Sequence, residues 1–286
     1  MRVLPGVLFA AFFSLFSPAL FSMDWPLAEA VMTRNFGWNN EGMPHLGVSF
    51  AGEGTITTTK AGELLFQRRE ADTACRLPSP LGSWAAVDHE DGFISIYSRL
   101  DDESFEAIPR RVENGGVIGN AGVSGWASQP GLYFQFFDRK ERRWVNPETL
   151  VGAAGMRQPT IGSVRLKNDG ETVYNLPLAG SLPQGHYTVL ANVITGSPAA
   201  PLAPYRISAS LNGREAGALA FETYSVRDGS LIVYRNGLVP VRQVYAAFPG
   251  YEIADLWLTR GQALLEITAL NISGTARSVV YRFTVE

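Results

Sequence analysis

A single cysteine, Cys75, stands among 286 residues, so neither an internal disulfide nor a thiolate zinc site is available to this chain. A nucleophilic role would need a positioned basic partner. The sequence offers only the neighbouring Arg76, and Cys75 reads as an ordinary loop or strand thiol. Charge is also scarce. Charged residues make up 18% of the chain and the formal net charge is -3, so the dense basic field that phosphate backbones require is missing and nucleic acid is not expected as a partner. Coiled-coil heptads, long internal repeats and low-complexity tracts are absent, which excludes fibrous and solenoid architectures. Beyond the first 22 residues no run resembles a membrane span.

What the chain has instead is turn formers and strand formers. Its 29 glycines and 17 prolines accompany many aromatic and β-branched residues, a composition that favours an all-β fold with many turns. The length and a hydrophobic content of 46% are enough for two cores. Residues 1–22 place one cation, Arg2, before an apolar run interrupted by Pro5, Gly6 and Pro18, the plan of a signal peptide. An uncleaved anchor helix is the alternative. No cysteine lies near the junction, which speaks against a lipid anchor and for export to the periplasm or cell envelope.

Residues 44–50 alternate, with Leu46, Val48 and Phe50 expected on one face and His45, Gly47 and Ser49 on the other. Asx-Gly pairs at Asp91-Gly92, Asn114-Gly115, Asp169-Gly170, Asn212-Gly213, Asp228-Gly229 and Asn236-Gly237 sit beside apolar runs and predict repeated antiparallel hairpins. Composition breaks over residues 151–155, and alternation restarts at Val164. This divides the chain into residues 23–155 and 156–286. In the second part Tyr205, Ile207, Ala209 and Leu211 alternate with polar residues, as do Tyr281, Phe283 and Val285, so each strand has a buried and a wet face. Short strands of this kind suit an immunoglobulin-like β-sandwich. The mixed-charge run 138–143 reads as a solvated hairpin tip and residues 271–274 as a turn before the last strand. The run 115–119 lacks the strand and helix that a dinucleotide loop needs, and reads as a β-turn loop.

Seven short motifs follow one another in order: Phe36-Gly37, His45-Leu46-Gly47-Val48-Ser49-Phe50, His89-Glu90-Asp91-Gly92, Tyr97-Ser98-Arg99-Leu100, residues 117–125, Gly131-Leu132-Tyr133-Phe134-Gln135 and Asn146-Pro147. Their order resembles the LytM or lysostaphin family of zinc endopeptidases, which cut peptide crosslinks in bacterial cell walls. The resemblance implies a LytM-like antiparallel β-sheet domain. It also implies which positions would hold zinc: His45, Ser49 in place of an Asp, and Tyr133 in place of a His. Gly131 and Arg99 stand where the family has its catalytic histidines. Four of the five family positions are thus changed.

Serine and tyrosine are poor zinc donors near neutrality, and Arg99 sets a permanent positive charge where a dication would sit. The expectation is therefore loss of the family's zinc cofactor and of hydrolysis, with His45, Ser49, Arg99 and Tyr133 forming a degenerate groove. That groove either binds a carboxylate and stacks on a peptide or sugar, or is sealed by its own side chains. His45 is either a relic or part of such a site; His89 reads as structural and His186 as incidental. Degenerate members of the family regulate wall amidases or scaffold envelope complexes, so the resemblance implies peptidoglycan or an envelope protein such as a cell-wall amidase as partner. The competing expectation is an active peptidoglycan endopeptidase with ligands shifted among His45, Glu53, Asp88, His89 and Asp91.

Overall fold

A computed structural model describes residues 23–72, 79–153, 157–177, 180–197, 200–246 and 249–286. Cys75 and the signal-like segment 1–22 lie outside the described residues. Almost every element is a strand. The helices among the described residues are two single turns, Pro147–Val151 and Val241–Tyr245, and neither is long and apolar enough to cross a membrane.

The expected hairpins form except at Asn114-Gly115, where Arg111–Val112 pairs with Gly62–Arg68 and Val117–Asn120 with Thr55–Thr57 instead of with each other. Asn212 and Gly213 have φ of 52° and 81°, and Asp228 and Gly229 have 49° and 72°. This left-handed geometry at both central residues matches the twist of the flanking strands and is open to Asx-Gly pairs. The two turns join Arg206–Leu211 to Arg214–Arg227, and Arg214–Arg227 to Ser230–Arg235. The charge run is a hairpin tip, in which the Asp138 carboxylate accepts from the backbone of Lys140 and Glu141, both at 3.0 Å. Asn271 closes the turn before the last strand by accepting from the Thr275 amide at 2.7 Å.

One sheet of 14 strands runs through both halves of the molecule. Its first part holds Gly62–Arg68, Ser83–Asp88, Phe93–Leu100 and Gly131–Asp138 as antiparallel neighbours, with Val48–Ala51 on the other side of the last. It passes into the second half where Arg143–Val145 pairs with Arg214–Arg227, Trp144 opposite Tyr224. A second sheet of five strands, including Pro159–Asn168, Gly185–Ser197 and Tyr251–Leu258, covers that half. The two layers enclose a core that contains Val189, Ile207, Leu219, Ile253, Leu265 and Phe283.

The cores are interleaved along the sequence. Phe36, expected with the first half, is buried in the second core and packs against Tyr224 with ring centroids 5.0 Å apart. Leu202 crosses the other way and joins Val48, Phe50, Tyr97 and Phe134 in the first core. The alternation expected through residues 44–50 is corrected at its start. The strand begins at Val48, and Leu46 packs against the second core rather than beside Val48 and Phe50. The cause lies in backbone pairing: Gly37 N donates to His45 O at 2.9 Å and His45 N to Trp38 O at 3.0 Å, which draws Leu46 toward the turn carrying Phe36.

Candidate functional site

Strand register brings the family positions together. Tyr133, on Gly131–Asp138, lies opposite Ser49 on one side and Ser98 on the other. The Ser49 hydroxyl is 3.0 Å from His45 Nε2, across a gap of four residues at the entrance to Val48–Ala51. The His45 and Tyr133 rings lie 4.8 Å apart, and the Arg99 guanidinium stands 5.4 Å from the centre of the Tyr133 ring. His45, Ser49, Tyr133 and Arg99 therefore form one contiguous group.

Electrostatics within the group disfavour protons and cations. Burial lowers the His45 pKa from 6.5 to about 3, with help from Arg34 and Arg99. Its imidazole is neutral at pH 7. Burial also raises the Tyr133 phenol above its usual range, against the pull of Arg99. The same desolvation, together with Arg34, lowers the proton affinity of Arg99.

Arg99 is held in an unusual conformation. Its φ of 69° is left-handed, a region that costs a non-glycine residue about 1–2 kcal/mol. Two backbone bonds fix it there: Arg99 N donates to Leu81 O at 2.8 Å, and Gly122 N to Arg99 O at 2.9 Å. The buried Arg99 Nε has no hydrogen-bond partner among the described residues.

Gly131 stands where the family has a histidine, and here the backbone has closed on that position. A Cβ placed on Gly131 would lie 2.2 Å from the Phe50 carbonyl oxygen, a contact no side chain tolerates without movement of the paired strand. Gly131 is thus a packing residue. It contributes no functional group.

The donors present do not fit zinc. A catalytic zinc site needs three protein ligands such as imidazoles and carboxylates, whereas this group offers one imidazole already bonded to a hydroxyl, a phenol held protonated, and two arginines close by. Among the described residues no three His, Cys, Asp or Glu side chains are grouped to hold a metal ion. The shifted set does not assemble either. His89 is buried and spans Ala61 O at 2.9 Å and Ser95 Oγ at 2.8 Å, and Ser95 passes the chain to Tyr97 OH at 2.9 Å. This is the structural role expected of it. His186 makes a surface bond of 2.8 Å with Asp169 in the second half.

Beside the His45 group opens a pocket of about 230 Å³, lined by Arg34, Ser49, Phe50, Arg99, Trp126 and Gln129 among others. Sequence reasoning missed Arg34 and Trp126. Both flank quoted motifs, Arg34 just before Phe36-Gly37 and Trp126 directly after Gly125, but neither occupies a family position. The loop that presents Trp126 is anchored by Ser124 Oγ, which donates to Leu100 O at 2.7 Å and accepts from Ser83 N at 3.0 Å. The Trp126 side chain is left 76% exposed.

Comparison with known proteins agrees with the motif order. A family model described as Peptidase family M23 matches residues 43–147, and a second model, without a functional description, matches residues 158–286. No curated protein matches the chain. Among solved structures, a mutant catalytic domain of the prophage-encoded M23 protein EnpA from Enterococcus faecalis is 18% identical, with a TM-score of 0.37, over 47% of this chain and 98% of its own. The catalytic domain of lysostaphin from Staphylococcus simulans is 17% identical, with a TM-score of 0.37, over 43% and 93%. A chain of the SpoIIIAH and SpoIIQ complex is 18% identical, with a TM-score of 0.35, over 45% and 97%. Residues 43–147 of this protein thus match Peptidase family M23, on an all-β frame.

Proposed function

We propose that this chain is an exported, non-catalytic LytM-like protein of the cell envelope. It acts by binding, either to peptidoglycan or to a cell-wall hydrolase such as an amidase that it regulates or scaffolds. The observation that carries the reading is the charge and chemistry at the former metal positions: His45, Ser49 and Tyr133 contact one another, and Arg34 and Arg99 oppose a cation there. A zinc-bound water has no place in such a set, and no general acid or base remains at Gly131 or Arg99. The reading includes loss of the family's zinc, residues 1–22 as export signal, and an immunoglobulin-like sandwich from residue 156 onward.

The test is sedimentation of the purified full chain with isolated cell walls, alongside assay of the same samples for released muropeptides. Co-sedimentation without release is expected. Muropeptide release that disappears on metal chelation would overturn the reading.

A further inference from the structure

The pocket next to the His45 group has a composition that selects its ligand. Ser49 and Phe50 of Val48–Ala51 line it, and Trp126 and Gln129 come from the loop that follows Gly125. Arg34 enters from Val31–Arg34, a strand that pairs with Val48–Ala51 in a register placing Arg34 opposite Ser49. Arg99 enters from the end of Phe93–Leu100. Two guanidinium groups therefore share a small cavity whose described lining holds no carboxylate. Neither cation is matched there. Arg99 Nε has no hydrogen-bond partner among the described residues, and the residue is held in a left-handed conformation that its neighbours enforce.

A partly buried Arg99 with an unpartnered Nε, beside an exposed Arg34 at a concave site, is suited to an anion. The rest of the lining says which anion. A planar guanidinium fork suits a carboxylate bidentately. The exposed indole of Trp126 offers apolar and π surface for whatever carries that carboxylate, while Gln129 can exchange hydrogen bonds with an amide. The volume of about 230 Å³ accommodates a terminal residue and part of its neighbour, not a folded surface.

Resting on the non-catalytic reading above, we infer that the Arg34–Arg99–Trp126 pocket captures the C-terminal carboxylate of a peptide, with the last side chain packed against Trp126. The anion site lies beside the family's metal positions and shares Ser49 with them.

Calorimetric titration of the full chain tests this with three probes: acetyl-alanyl-alanine with a free carboxylate, the same dipeptide as its C-terminal amide, and inorganic phosphate. The acid is expected to bind, with the amide weaker by about tenfold or more, as loss of a charge-assisted bidentate contact implies. Arg34→Gln and Arg99→Gln should each weaken the acid by about fivefold or more, and added salt should weaken it in the parent protein. Because Arg34 is exposed, Arg34→Gln reports on binding without a folding defect. Absence of acid binding, equal affinity for acid and amide, indifference to both substitutions, or tighter binding of phosphate than of the acid would each overturn the inference. Failure here with cell-wall sedimentation intact removes the pocket assignment alone. Chelation-sensitive muropeptide release would remove the underlying reading.

Discussion

Protonating His45 in the folded state means burying a cation, and doing so beside Arg34 and Arg99, which is why its pKa falls from 6.5 to about 3. The folded pKa lies below the unfolded one, so the unfolded chain binds more protons in between. The stabilisation is complete above pH 6.5 and is lost as pH falls toward about 3. Burial lowers His89 in the same sense. Urea unfolding of the parent protein should lose about 1–2 kcal/mol between pH 6.5 and about 5 through His45, and His45→Gln should flatten that part of the slope. Gly131→Ala should destabilise by about 1–3 kcal/mol, because its Cβ meets Phe50 O, while Gly180→Ala, with open space around it, serves as the neutral control in thermal unfolding. Arg99→Gly separates stability from function. Relief of the left-handed backbone, about 1–2 kcal/mol, offsets the extra freedom of unfolded glycine, about 0.5–1 kcal/mol. Melting should therefore shift little, whereas binding of the acid probe disappears.

Among the elements, the segment from Asn35 to His45 joins the pocket to the second half. Arg34 lines the pocket; its neighbour Asn35 donates to Ala203 O at 2.9 Å and accepts from Ala203 N at 2.7 Å. Asn39 Nδ2 donates to Gly250 O at 2.9 Å, and Tyr245 OH donates to Gly37 O at 2.8 Å. Asn39→Ala would leave buried carbonyls unpaired, and a loss of about 1–3 kcal/mol in chemical unfolding is expected. Much of this level was readable from the sequence. Asx-Gly pairs marked hairpins because few other residues adopt their φ, and the ordered motifs placed His45, Ser49, Arg99 and Tyr133 in one group. The destination of Phe36 was not readable, since alternation separates buried from wet without saying which core receives a side chain. Arg34 and Trp126 were missed for a related reason: they meet across about ninety residues through strand pairing and a loop anchor, and no local pattern marks that meeting.

For the molecule as a whole, the continuous sheet and the exchanged side chains make the two halves interdependent. Trp144 pairs opposite Tyr224, Phe36 fills the second core, Leu202 fills the first, and buried Glu148 is paired with Arg157 at the junction. Scanning calorimetry of the full chain should show one cooperative transition, and residues 23–155 alone should melt earlier, with Phe36 and Leu46 stripped of cover. Two independent transitions would contradict this coupling. The central proposal is chemical: an arginine-lined pocket in place of a metal centre on a LytM-like frame. Its most direct test is zinc content by elemental analysis after metal-stripped full-length protein is dialysed against micromolar zinc. The expected result is far less than one zinc per chain, unchanged by His45→Gln. One tightly held zinc per chain that is lost in His45→Gln would contradict it.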